Sequence, residues 1–160
     1  MTTLTWSAAL ALDHPQMDAT HVEFVDLLAH AEAALALTEA ELLARFDALV
    51  AHTAEHFAQE DRWMAATGFA LENCHSFQHQ AVLGVMSECA KRAREAGNFE
   101  PLRMAVQELA TWFPQHAQMM DAALAEHLAA VGFDPATGRC EVAIADAAPI
   151  TGCASSSCGG

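Results

Sequence analysis

Residues 38–68 read TEAELLARFDALVAHTAEHFAQEDRWMAATG. Thr38 is a helix N-cap, and Glu41 three residues later completes a capping box. No Gly or Pro interrupts the segment until Gly68, which supplies the stop. The stretch therefore predicts one long helix to about Thr67. His56 and Glu60 stand at i and i+4 on it, so both point to one side with β-carbons about 6 Å apart. A helix of this length buries one stripe against partners, and an imidazole and a carboxylate lie on one of its faces.

Working outward, the same periodicity recurs on both sides. Asp18 is the expected N-cap of a helix to about Leu37, with Phe24, Leu27, Leu28 and Leu35 as its apolar stripe. A third helix is expected over roughly 71–96, ended by Gly97-Asn98. A fourth starts near Glu100-Pro101, with Pro in the first turn, and runs to about Val131 before Gly132. Short connections between four such helices predict an all-α fold, an up-down-up-down antiparallel four-helix bundle over 18–133. Residues 1–17 read as an extended N-terminal arm whose Trp6 and Leu10 pack on the bundle, and His14-Pro15 disfavours helix there. From Asp134 the composition turns to Gly, Ser, Ala, Pro and Cys, so 134–160 reads as a flexible, disordered C-terminal tail. No internal repeat is visible.

Composition narrows the function classes. The 160 residues make one domain, rich in Ala, Leu, Glu and Met and without Tyr, as a helical protein would be. A formal charge of −14 with seven basic residues argues against nucleic acid and anionic membrane, which need Lys/Arg patches. No apolar run approaches the length of a membrane span. The start, MTTLTWSAALALDHP, lacks the basic and long apolar regions of a signal peptide, so a cytoplasmic location is expected. Cys74 and Cys89 fall in helical stretches as small hydrophobes. Cys140, Cys153 and Cys158 lie in or near the tail, and five irregularly spaced cysteines are no disulfide framework. The tail's Cys153-x4-Cys158 reads as a silent end; exposed thiols open a redox or metal-handling alternative.

The chemistry lies in seven residues spread over the four helices: His21, His56 with Glu60, His75 with His79, and His116 with Asp121. One lone helical histidine is ordinarily a surface or satisfied core residue, and one i,i+4 pair arises by chance. Seven such residues are too many for one ion. Two octahedral irons sharing bridging carboxylates use all of them and leave a position for a small exogenous ligand. His116 and Asp121 are five residues apart, which turns about 140° in an ideal α-helix. Both reach the core only if the helix is locally unwound. Pro114, whose ring and missing N–H disturb the preceding turn, is an expected cause. A kink or π-like widening is therefore predicted between about 112 and 121.

These residues resemble the hemerythrins, in particular single-domain bacterial ones. The match includes MDATH around His21, HFAQEDRWM around His56 and Glu60, HSFQH at 75–79, WFPQHAQMMD at 112–121, and an opening Thr5-Trp6. It covers about residues 4–131. The resemblance implies that His75, His79 and His116 hold a coordinatively filled iron, and that His21 and His56 hold a second iron with an open position. Glu60 and Asp121 would bridge both, with a solvent-derived oxo or hydroxo group as third bridge. It further implies reversible O2 binding for storage, delivery or sensing, by a binding protein rather than an enzyme, with no protein partner specified. An apolar pocket excludes water that would otherwise leave inactive ferric protein. Trp112, Phe113, Ala117 and Met120 are its expected lining, beside their plainer reading as core. Ala117 stands where many relatives carry a bulky aliphatic residue and Phe113 where Leu is common, which predicts a reshaped pocket.

Two alternatives belong to other classes. A di-iron redox enzyme, or a nitric-oxide or iron-repair protein of the hemerythrin-like group, more often carries a second His-x3-Glu; His75-x3-His79 and His116-x4-Asp121 depart from that. A ferritin-like oxidase needs paired Glu-x-x-His motifs, and only Glu72-x-x-His75 has that spacing. The remaining histidines read as bystanders. His52 is a polar bundle-end residue or one that supports a ligand from behind, and otherwise a pocket residue; His30 is solvated, His127 is too far to share the site, and His14 is a loop residue.

Overall fold

The computed structural model describes residues 4–69 and 73–142. Among them run the α-helices α1 (Pro15–Ala34), α2 (Glu39–Ala66), α3 (Cys74–Ala96), α4 (Glu100–His116) and α5 (Ala122–Ala130). Ala117–Asp121 is a π-helical turn that joins α4 to α5 in one continuous rod. The four resulting rods pack in a ring, α1 against α2 and α4, α3 against α2 and α4. This is the expected all-α four-helix bundle.

Local chemistry accounts for most helix ends. Thr38 Oγ1 accepts from the Glu41 amide at 3.3 Å and the Glu41 carboxylate accepts from the Thr38 amide at 3.2 Å, the capping box that starts α2. Asn73 Oδ1 caps α3 by accepting from the Ser76 amide at 2.9 Å. Gly97 ends α3 in the left-handed region at φ 62°, where a β-carbon would be strained. The start of α1 departs from expectation. His14 is the N-cap, its Nδ1 accepting from the Met17 amide at 3.1 Å, and Pro15 is the first helical residue. Proline's fixed φ suits that position and its missing N–H costs nothing there. Asp18 lies inside the first turn and accepts from the Leu12 amide at 2.8 Å. Helix α1 also ends at Ala34, three residues short of Leu37.

The arm is partly extended, with a short 3-10 turn at Ala8–Leu10; Leu10 is buried and Trp6 packs against the bundle, as expected. Residues 134–142, read from sequence as the start of the disordered tail, make a turn instead. The Asp134 amide donates to the Arg139 carbonyl at 2.8 Å, and the Glu141 amide donates to the Val131 carbonyl at 3.0 Å. Residues 143–160, with Cys153 and Cys158, lie outside the described residues, as does Glu72. Cys89 is a buried free thiol and Cys140 a half-buried one, whereas Cys74 is disulfide-bonded, not the free thiol expected. No helix among the described residues is long and apolar enough to cross a membrane.

Two apolar clusters fill the bundle. The larger contains Phe24, Leu28, Phe46, Leu49, Leu102 and Phe113; the smaller contains Met17, Trp63, Met64, Phe69, Leu124 and Leu128. Along α1, His21 falls between Met17 and Phe24; along α2, His56 and Glu60 fall between Leu49 and Trp63; on the fourth rod, His116 and Asp121 fall between Phe113 and Leu124. A polar layer is thus sandwiched between two dry ones, a placement that costs several kcal/mol per charge unless the layer is mutually satisfied.

Candidate metal centre

All seven residues singled out by spacing are buried, none more than 3% exposed. Their ligand-type atoms fall into two overlapping groups, Glu60, His75, His79, His116 and Asp121 in one, and His21, His56, Glu60 and Asp121 in the other. Within each group those atoms lie within 4.8 Å of one another. Asp121 reaches the layer because the π turn absorbs the extra residue after His116, as the five-residue step predicted.

The two carboxylates divide their oxygens between the groups. Glu60 Oε1 is 3.0 Å from His56 Nε2 and 3.7 Å from His21 Nε2. Its Oε2 is 3.2 Å from His75 Nε2 and 3.3 Å from His79 Nε2. Asp121 Oδ2 is 3.1 Å from His21 Nε2, while Oδ1 is 2.9 Å from His75 Nε2 and 3.1 Å from His116 Nε2. All five histidines present Nε2 inward.

Electrostatics follow from this crowding. Burial opposes charging His21 and His75, yet the Asp121 and Glu60 carboxylates outweigh it and hold both pKa values up at about 9. His79 is raised in the same way, burial being outweighed by Asp61 and Glu60. His116 is lowered, since burial prevails there over Asp121. Glu60 and Asp121 stay well below the ordinary carboxylate range; burial pushes against this, and for Asp121 so does Glu60, but the surrounding imidazoles prevail.

Among the described residues, several of the inward atoms lack a hydrogen bond of acceptable geometry: Nε2 of His21, His75, His79 and His116, Oε2 of Glu60, and both Asp121 oxygens. Orphaned polar atoms of this number are costly in a bundle core. Cations coordinated by them would satisfy all at once, and the donor set, imidazole nitrogen and carboxylate oxygen, is that of a first-row transition metal. The residues present fit a metal centre.

Around the layer, Phe57 stacks on His79 with ring centroids 4.0 Å apart, and Trp112 stacks on His116 at 4.4 Å. Phe113 meets His21 edge-on at 5.1 Å and stacks on Phe24 at 4.5 Å. The four expected pocket residues have different neighbours. Trp112 serves the three-histidine group, Phe113 the two-histidine group, Ala117 is fully buried in the larger cluster, and Met120 is only partly buried. Three residues near the site were missed from sequence: Phe57, Asp61 and Gln78. Asp61 Oδ1 accepts from His79 Nδ1 at 3.0 Å, and Gln78 Oε1 accepts from His116 Nδ1 at 2.9 Å. Their only local signal was adjacency to a ligand-type residue.

The other histidines are accounted for. His52 pairs with Glu23 at 3.1 Å, one turn from His56; His30 is exposed; His14 caps α1 and packs on Trp63. His127 bonds the Thr67 carbonyl, away from the layer.

Comparison with known proteins agrees with the geometry. The family model described as hemerythrin HHE cation binding domain matches residues 13–128. A bacteriohemerythrin of Ralstonia nicotianae is 38% identical over 134 residues, covering 84% of this chain and 95% of that protein. No solved structure matches. A family match spanning most of the bundle, together with a relative 38% identical over most of both chains, shows that this chain belongs to the hemerythrin family.

Proposed function

We propose that the chain binds O2 reversibly at a non-haem di-iron centre held by His21, His56, Glu60, His75, His79, His116 and Asp121. The observation that carries this reading is the division of the Glu60 and Asp121 oxygens between the two histidine groups, since a carboxylate placed so can bridge two ions. One group of ligand-type atoms offers three imidazoles and the other two, so three would hold one ion and two the other. If both carboxylates were shared, the two-histidine side would have the lower protein ligand count, which would leave a coordination position for a small diatomic molecule. A reduced iron pair supplies the electrons that O2 binding draws on.

The chain's own residues do the rest. Neutral imidazoles with two carboxylates would offset half the charge of a ferrous pair, which would lower the cost of holding it in a dry bundle. Phe113 and Phe24 close the larger apolar cluster over His21 and exclude water, which favours release of O2 over irreversible oxidation. Hydrogen bonds from outside the cluster fix the rings of His79 and His116. The name of the Ralstonia relative supports the same reading.

Anaerobic reduction followed by O2 exposure, with iron content and visible absorption recorded together, tests it. The expected result is two irons per chain and a charge-transfer band that appears with O2 and vanishes on deoxygenation. Immediate passage to a stable diferric spectrum would overturn O2 carriage in favour of a redox or repair role.

A further inference from the structure

The five inward-facing imidazoles differ in what holds their outer nitrogens. His79 Nδ1 donates to the carboxylate of Asp61 at 3.0 Å, and His116 Nδ1 donates to the amide oxygen of Gln78 at 2.9 Å. The outer nitrogens of His75, His21 and His56 are buried without a hydrogen-bond partner among the described residues. Both acceptors therefore serve the three-histidine group, and neither serves the two-histidine group. Asp61 sits one residue past Glu60 on α2, and Gln78 one residue before His79 on α3, so each reaches across a helix interface to a ring on a neighbouring rod. Asp61 crosses from α2 to α3 and Gln78 from α3 to α4.

An acceptor at Nδ1 fixes the tautomer that leaves Nε2 free as a ligand, and it raises the electron density the ring donates. A carboxylate does this more strongly than an amide, because the N–H···O bond is charge-assisted. Resting on the di-iron reading above, we propose that Asp61 and Gln78 are positioning residues that make the two metal positions electronically unequal. The three-histidine position is the stronger donor set and its ion is retained longer; the two-histidine position is the weaker one, left to the exogenous ligand. The rank Asp61 above Gln78 follows from charge alone.

Asp61→Asn and Gln78→Glu test this, because they keep shape and change charge in opposite senses. Each is prepared as the iron-loaded full chain alongside the parent. The readouts are the midpoint potential, the time course of iron release to a chelator, and the thermal midpoint of the metal-stripped form. Asp61→Asn is expected to raise the potential and to speed the slow phase of iron release by about tenfold or more. Gln78→Glu is expected to lower the potential and slow that phase. The fast phase stays at the parent's rate in both. A merely structural role would shift both variants the same way, together with the thermal midpoint, and would overturn the proposal. So would potentials and release rates equal to the parent's. A parent that takes up no iron overturns the di-iron reading itself, a result distinguishable from the other two.

Discussion

His116 and Asp121 are five residues apart, yet Asp121 Oδ1 lies 3.1 Å from His116 Nε2 across a single π turn. One π turn over five residues and one α turn over four each bring the chain round by about one revolution, whereas each added α residue turns a side chain by about 100°. Deleting exposed Gln118 should therefore restore α geometry, keep both side chains inward and preserve metal binding. Relief of the widened turn should leave the metal-stripped variant at least as stable as the parent. Inserting an Ala after Gln118 should swing Asp121 out of the layer and abolish binding of the second metal. Metal stoichiometry and thermal melts of the two variants check this; equal stoichiometries in both would show that Asp121's direction does not matter.

His127 Nε2 donates to the Thr67 carbonyl at 2.9 Å and lies 3.1 Å from Thr67 Oγ1, a link from α5 to the C-terminal end of α2. The end of α2 has carbonyls without helical partners, and a buried donor there satisfies one of them. His127→Ala is expected to cost about 1–2 kcal/mol, which lowers the thermal midpoint by roughly 2–8 °C in a chain of this size. Iron content should stay at the parent's value. A loss of iron instead would mean that this histidine acts on the site.

How much of this was legible in sequence follows from how local each cause is. The capping box at Thr38 and Glu41 and the glycine stop at Gly97 are contained in a few consecutive residues, and they stand as read. The buried layer of histidines and carboxylates was legible because helical spacing converts sequence distance into direction; even the π turn followed from one misfit spacing. The start of α1 was ambiguous, since Pro15 and Asp18 both suit a helix start, and it is His14 that caps the helix while Asp18 accepts from the Leu12 amide instead. The turn at 134–142 was hidden because a bond from Glu141 back to Val131 holds it, against a composition typical of loops. Asp61, Gln78 and His127 were hidden for the same reason. Which ring or carbonyl each reaches depends on how two rods pack, and no pattern within one helix records that.

Phe113 touches both Phe24 and His21, and Ala117 is fully buried one turn further on. Phe113→Leu removes the stack on Phe24 at a cost of about 1 kcal/mol and loosens the dry wall beside His21. Oxidation of the oxygenated protein to the stable ferric form should become several-fold faster. Ala117→Ile adds bulk where none is free, costing about 1–3 kcal/mol, and should slow that oxidation by narrowing access. Decay of the O2-dependent absorption band measures both. If both variants decay at the parent's rate, neither side chain bounds the ligand space.

In protein stripped of metal by a chelator, His21 and His75 hold their protons up to about pH 9, against an ordinary imidazole value of 6.5. The folded state then binds more protons than the unfolded chain over that interval. Their stabilisation is fully present below pH 6.5 and is lost as the pH rises through about 9. Glu60 and Asp121 run the other way. Their folded values are depressed, so their stabilisation is present above the ordinary carboxylate range and is lost as pH falls through the folded values. The stripped protein is expected to be most stable near pH 5–6.5 and to lose several degrees of thermal midpoint, roughly, by pH 10. The metal-loaded protein should lack the alkaline loss, because coordination replaces those protons. Metal uptake at pH 7 should accordingly release roughly two protons from the His21 and His75 rings. Melts across pH 6–10, paired with proton release in weak buffer, check both halves. A stripped protein with a flat alkaline limb and no proton release would show that these two imidazoles are neutral before metal arrives.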